Sequence, residues 1–269
     1  MSFVRALPFL VLAGVILLSR PLFAQEVKKI QDNSFLIEEA YNQEDGVVQH
    51  IQVFQYLKKS KDWQYAFTQE WPVPKLAHQF SYTIPVAHLH GADTTGIGDI
   101  LINYRYQAIM QDRIALSPRF SVVLPTGDYK KGLGSDTVGY QVNIPLSVEL
   151  SDKVVTHWNM GGTFTPRAKD AAGVKANVRG TNYGASVIYL ASENFNLMLE
   201  AAGTSTETAE VNGLKSTEST LFINPGVRFA INCKSGLQIV PGFSVPVGVG
   251  PSEGEYGALL YLSFEHPLF

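Results

Sequence analysis

Alternate connections in this chain are short, and that rhythm constrains its fold more than any other feature. Segments with period-two hydrophobicity fall near 47–57, 63–71, 76–86, 97–109, 113–124, 137–150, 153–164, 180–191, 194–205, 217–231, 236–248 and 254–266. These twelve segments pair into six hairpins. The links after the even-numbered segments are tight: Pro72–Lys75, Met110–Asp112, Ser151–Asp152, Ser192–Glu193 and Asn232–Ser235. Those after the odd-numbered segments are mostly longer, including His88–Gly96, Pro125–Asp136, Pro166–Arg179 and Thr206–Ser216. Short turns at one end and long loops at the other are the pattern of an outer-membrane β-barrel. A water-soluble sandwich has no reason to sort its loops this way, and its usual strand number is smaller.

The alternation is visible residue by residue. In one segment Val142, Ile144, Leu146, Val148 and Leu150 share a face, and Asn143, Ser147 and Glu149 share the other. Trp63, Tyr65, Phe67 and Trp71 oppose Gln64, Thr68 and Glu70. Ile100, Ile102, Tyr104 and Tyr106 oppose Asp99, Asn103, Arg105 and Gln107, and Leu221, Ile223, Val227, Phe229 and Ile231 oppose Thr220, Asn224 and Arg228. Period two marks a strand buried on one side only, without saying which side meets water. Loop sorting, the even strand count and aromatics near segment ends (Trp63, Trp71, Tyr106, Trp158, Tyr261) put the apolar face outward. The first segment fits worst, with Val47, Val48, Ile51, Val53 and Phe54 spread over both faces.

Targeting and composition agree. Arg5 precedes an apolar run from Ala6 to Leu18 that ends in Pro21-Leu22-Phe23-Ala24, the layout of a secretory signal peptide over 1–24. That run is shorter than the roughly 20 residues of a membrane-spanning helix. The chain is 45% hydrophobic, yet its mean hydropathy is only +0.03, because alternation averages out. In lipid, every backbone polar group needs a partner, so strands can span only as a closed barrel. A net charge of −3 gives no pull toward nucleic acid, and the lone Cys233 forbids an intrachain disulfide.

The expected division is 1–24 signal peptide, 25–46 a periplasmic strap or plug, and 47–269 barrel. Ser34-Phe35-Leu36-Ile37-Glu38-Glu39-Ala40-Tyr41 is too apolar for a free tail and too short for a domain. The polar faces predict a lumen lined by Glu70, Asp99, Arg105, Arg119, Glu149, His157, Glu200, Arg228 and Glu265, with Gln64, Gln79, Asn103 and Asn159. Arg105, Arg119 and Arg228 would set a constriction held by Asp99, Glu149 or Glu200. A packed ion-pair network and a narrow polar pore are both open readings; mixed charge argues against strong ion selectivity. At the terminus Phe269 fits an assembly signal. The apolar face runs through Ala258, Leu260, Leu262 and Phe264 instead, with Pro267 resetting the register.

Little else suggests chemistry. Gly96-Ile97-Gly98 lacks the third glycine and following helix of a dinucleotide site. His88-Leu89-His90 with Asp93 falls short of the four ligands of a structural zinc site, so no metal or cofactor is expected. His157 and Asn159 share the predicted lumen face, as a lipid-modifying barrel enzyme would need, but no accompanying nucleophile motif is present.

Two motifs carry a resemblance. Thr95-Gly96-Ile97-Gly98-Asp99-Ile100 opens one strand, and Leu124-Pro125-Thr126-Gly127-Asp128 follows the strand at 113–124. With the strand–loop rhythm, this resembles the outer-membrane barrel family named after the MetA pathway of phenol degradation. The resemblance implies a non-enzymatic channel or transporter for small molecules, aromatic or otherwise apolar, in the bacterial outer membrane. A purely structural barrel and a lipid-modifying enzyme are the alternatives. Implied partners are outer-membrane lipid and lipopolysaccharide, the barrel-assembly machinery and the permeant. The glycines are read as structural, permitting tight turns and close backbone approach.

Overall fold

The computed structural model describes residues 34–210 and 214–268, so the signal-peptide region and Phe269 lie outside the described residues. The strands are β1 Val47–Leu57, β2 Trp63–Trp71, β3 His78–Leu89, β4 Thr94–Ile97, β5 Ile100–Tyr106, β6 Ile109–Gln111, β7 Ile114–Leu116, β8 Arg119–Leu124 and β9 Gly139–Ser151. They continue as β10 Val154–Lys169, β11 Lys175–Ser192, β12 Phe195–Ala209, β13 Lys215–Phe229, β14 Ile231–Asn232, β15 Gln238–Ser244, β16 Val247–Gly248 and β17 Gly257–Pro267. Several are pieces of one stave. Pro118 parts β7 from β8 and Pro246 parts β15 from β16, because proline cannot donate to the ladder.

Counting pieces together gives twelve antiparallel staves in sequence order. The last, β17, pairs with β1 from Val47↔Pro267 to Leu57↔Gly257, so the sheet closes and both ends of the barrel chain lie at one rim. Closure leaves no unpaired edge, which lipid would not tolerate.

Burial settles the sign that periodicity left open. The inward face is largely polar: Gln49, Gln79, Asn143, His157, Asn196, Glu200, Asn224 and Arg228 are all buried. The outward face carries Trp158 (52% exposed), Met160 (73%), Leu199 (52%) and Leu260 (53%). Such an inside-out arrangement is stable only where the surroundings are hydrocarbon. Aromatic belts flank the apolar wall, as headgroup-level anchors do. Trp71, Phe80, Tyr104, Tyr106 and His78 cluster toward the short-turn end. Phe54, Trp63 and His88 cluster toward the other.

Three expectations need correction. Pro166–Arg179 and Thr206–Ser216, read as long loops, are largely strand: β11 runs for 18 residues and β12 for 15. Crossing the apolar core takes about 9–11 residues, so these hairpins project beyond it. Above the bilayer both faces meet water, and the period-two signal vanishes although the ladder continues. His88–Gly96 likewise shrinks to a tight turn at His90–Ala92. The remaining long irregular link joins β8 to β9.

That link is where the two glycine motifs meet. Thr126 Oγ1 donates to the Gly98 carbonyl at 2.8 Å and accepts from Ile100 N–H at 2.9 Å. Asp99 accepts from Gly127 N–H at 2.9 Å, from Ser135 N–H at 2.9 Å and from Ser135 Oγ at 2.7 Å. Motifs from adjacent staves thus lock one loop in place. A Cβ at Gly127 would lie 2.1 Å from the Leu133 carbonyl oxygen, which is backbone and cannot step aside. Gly127→Ala should cost about 1–3 kcal/mol, as overpacking does, and open the loop to proteolysis at Lys130 and Lys131. Gly91→Ala, with nothing within 4 Å of the added methyl, should leave the protease pattern unchanged. Equal protease sensitivity in the two variants would refute the lock.

Candidate functional site

The lumen is occupied by the chain's own N-terminal segment. Residues 34–43 form neither helix nor strand, so their backbone groups need partners elsewhere. Wall side chains provide them. Glu200 on β12 accepts from the N–H groups of Phe35 (2.7 Å) and Leu36 (3.1 Å). Asn159 on β10 accepts from Glu38 N–H at 2.9 Å and donates back to the Glu38 carbonyl at 2.7 Å. Ser147 on β9 accepts from Ala40 N–H at 2.8 Å. Gln107, between β5 and β6, accepts from Asn42 N–H at 2.9 Å and donates to the Ala40 carbonyl at 2.7 Å. Gln79 on β3 accepts from Gln43 N–H at 2.6 Å. The lumen wall binds a peptide as a receptor would.

Side chains fix the segment further. Phe35 packs on Tyr261 with ring centres 5.5 Å apart, in a cluster with Ile188, Met198, Val240 and Leu259. Methyl groups at Gly226 or Gly242 would come within 2.6 Å of the Phe35 ring, and one at Gly184 within 2.4 Å of Ile37 Cδ1. Leu36, Ile51 and Val53 border the same cluster. The first strand therefore needs apolar residues on both faces, which is why its alternation was poor.

Charge completes the site. Arg119 forks onto Glu38, with Nη2 2.6 Å from Oε1 and Nε 3.0 Å from Oε2. It also donates to Asn103 and Gln141 at 3.0 Å each, and to Ser121. Arg105 donates to the carbonyls of Glu39 (3.1 Å) and Tyr41 (3.0 Å) and faces the Glu70 carboxylate at 3.8 Å. Arg228 lies over the Tyr261 ring at 4.8 Å.

Of the predicted lumen residues, Glu70, Arg105, His157, Glu200, Arg228 and Glu265 are buried in the interior. Arg119 is half-buried there, Glu149 is half-buried near the β9–β10 turn, and Asp99 sits at the mouth within the loop lock. The expected pairing is corrected. Asp99 accepts from Gly127 and Ser135, and Glu200 from the Phe35 and Leu36 N–H groups and the Asn224 amide, while Arg105 and Arg119 meet Glu38, Glu39 and Glu70. Ser147 and Gln107 were placed on polar faces without this role, and Glu38 and Glu39 were missed as partners of the arginines, since these roles depend on a segment with no periodicity. His157 Nδ1 lies 2.7 Å from Ser147 Oγ, but both residues are fully buried and that oxygen is engaged by Ala40 N–H. His88 bonds Thr95 at 2.8 Å, and no group of three metal-ligating side chains occurs among the described residues.

Space remains on two sides of the segment. A vestibule of about 740 Å³ lies above it, with Leu36, Ile37 and Phe222 at its apolar floor and Gln55, Asp62 and Glu218 among its polar walls. A second cavity of about 280 Å³ separates Phe35–Glu39 from the β1–β5 wall and touches Ile51, Leu101, Arg105 and Tyr261.

Solved structures of similar architecture include an outer-membrane channel and two porins. An outer-membrane channel from Pseudomonas putida F1 is 13% identical, with 84% of this chain and 97% of that chain covered at a TM-score of 0.63. The NanC porin is 10% identical (81% and 100% covered, TM-score 0.54), and the KdgM porin 9% (83% and 99%, TM-score 0.50). At these identities the likeness is one of fold. No curated protein matches the chain. The family profile described as "Putative MetA-pathway of phenol degradation" matches residues 37–250, which include both glycine motifs and most of the segment in the lumen. The protein is a β-barrel of the bacterial outer membrane and belongs to that family.

Proposed function

We propose that this barrel is a narrow, plugged channel for small molecules, with residues 34–43 as the plug. The observation that carries the reading is the way the segment is held. Its backbone is bound by side chains of Glu200, Asn159, Ser147, Gln107 and Gln79, with no strand of the ladder involved. It can therefore move without dismantling the wall. The cavities on either side supply a route whose walls are apolar near Phe35 and charged near Arg105. That mixed lining suits a compact solute with an apolar body and one polar group. Single-ring aromatics are the class we infer, in keeping with the family's description. An enzymatic role gains no support from the closed Ser147–His157 pair.

Uptake into liposomes tests the reading. Purified protein should admit small phenols faster than disaccharides. Background rates for both, with or without the plug, would make this a structural barrel. Orientation is a second test. With both ends of the barrel chain at the short-turn rim, an outer-membrane barrel places that rim in the periplasm. Tags at Gly132 and Gly173, both at turns of the opposite rim, should be labelled on intact cells. Labelling only after lysis would invert the topology. The outer rim would meet lipopolysaccharide, and assembly would use the barrel-insertion machinery.

A further inference from the structure

His50 on β1 and His266 on β17 are diagonal neighbours across the seam where the barrel closes, His50 opposite Phe264 and His266 opposite Val48. Both alternate with inward-facing residues, Gln49 and Glu265, so both point outward. Their Nε2 atoms are 3.1 Å apart, and the rings stack with centres 5.3 Å apart. Phe67 stacks against His50 at 6.2 Å and holds its ring. Trp71, at the end of β2 just beyond, marks this level as the edge of the apolar wall, where water reaches.

The second nitrogen of His266 is informative. Its Nδ1 lies 2.9 Å from the Pro267 carbonyl oxygen. Only a protonated ring nitrogen can donate there, so Nε2 of the neutral ring presents a lone pair. A histidine whose other N–H is anchored by a backbone carbonyl is the usual form of a metal ligand. Two imidazole nitrogens bound at about 2.0–2.1 Å to one zinc ion are separated by about 2.8–3.4 Å at bond angles near 90–110°. The pair already stands at that separation.

We propose that His50 and His266 form a clip for a divalent transition-metal ion, Zn²⁺ in the first instance, joining the first strand to the last. For the ion to enter, the proton on His50 Nε2 moves through water to Nδ1, so both Nε2 lone pairs face the metal and no net proton is released. Water completes the coordination. With two protein ligands the site is labile and fills at micromolar free metal, unlike a four-ligand structural site. Imidazole donors exclude Mg²⁺ and Ca²⁺, which require oxygen. His88 and His90 at the opposite rim are an internal control: their ring centres are 6.3 Å apart, and His88 Nδ1 is taken by Thr95.

The test is independent of transport. Full-length mature barrel, without a histidine tag and folded in detergent, is titrated with Zn²⁺ by calorimetry, and its heat-modifiable gel mobility is followed against temperature. One Zn²⁺ per barrel should bind, and the unfolding midpoint should rise with Zn²⁺ but not with Mg²⁺. His50→Ala and His266→Ala should each weaken binding at least tenfold and abolish the rise, whereas His88→Ala keeps both. Where an alanine variant does not fold, His50→Gln and His266→Gln serve in its place. Absence of saturable Zn²⁺ binding in the wild type, or binding that survives loss of both histidines, overturns the clip.

Discussion

Excising residues 34–43 should enlarge single-channel conductance on the order of tenfold, because a twelve-stranded wall lies between side-chain-filled eight-stranded barrels and open sixteen-stranded porins. The barrel should survive the loss. Closure depends on the β1–β17 ladder, which contains none of the removed residues. The wall groups left behind, Glu200, Asn159, Gln107 and Gln79, would be rehydrated by the water that fills the lumen, so they would not be stranded as buried orphans. The vestibule and the smaller cavity would merge, since Leu36 and Ile37 line both. The apolar slot made by Gly226, Gly242 and Tyr261 would lose its ring and become the stickiest part of the passage. Phenol uptake should rise with conductance, and disaccharide uptake should appear. A variant with normal heat-modifiable mobility and wild-type conductance would show that the constriction lies elsewhere.

Much of this architecture was legible in the residues. The run from Val142 to Leu150 declares its two faces, and the wall it builds has Asn143 and Ser147 buried inside with Val142 and Ile144 exposed outside. The direction of burial came from loop sorting, a property of the whole chain that no single strand carries. The projecting hairpins were illegible for a physical reason. Residues 166–179 leave the bilayer, so nothing selects for one apolar face although the ladder persists. The poor alternation of β1 recorded a contact with Phe35 that only the fold reveals. The segment in the lumen left one trace: a tail too apolar to be free. Asn159 and Gln79 stood among the lumen candidates without a reason. Their partners are backbone groups of the segment, and backbone carries no sequence signal. The arginine partners were missed for the same cause, since Glu38 and Glu39 lie outside any strand.

Breaking the Glu38–Arg119 fork should give the next largest effect, and its two halves should differ in sign. Arg119→Ala leaves the Glu38 carboxylate without the guanidinium it grips at 2.6 Å, a loss of about 3 kcal/mol for a largely buried pair. The plug should loosen, leak current should rise, and selectivity should move toward cations because a lumen positive charge is gone. Glu38→Gln should also leak, but with selectivity moving toward anions. Because either change alone breaks the same contact, the double variant should leak little more than each single one, a coupling of about 1–3 kcal/mol between neighbours. Acid should mimic the second variant. Burial works to raise the Glu38 pKa, but attraction and hydrogen bonding from Arg119, with help from Arg105 and Asn143, outweigh it and hold the carboxyl below its ordinary value. A depressed carboxyl stabilises the plugged state above its ordinary pKa and ceases to do so as pH falls through the depressed one. Leak should therefore be flat near neutrality and climb below about pH 4. Glu39 and Glu70 lie 3.9 and 3.8 Å from the neighbouring Arg105, outside this fork. In Glu38→Gln the acid response should disappear. If it persists there undiminished, the Glu38–Arg119 latch is wrong.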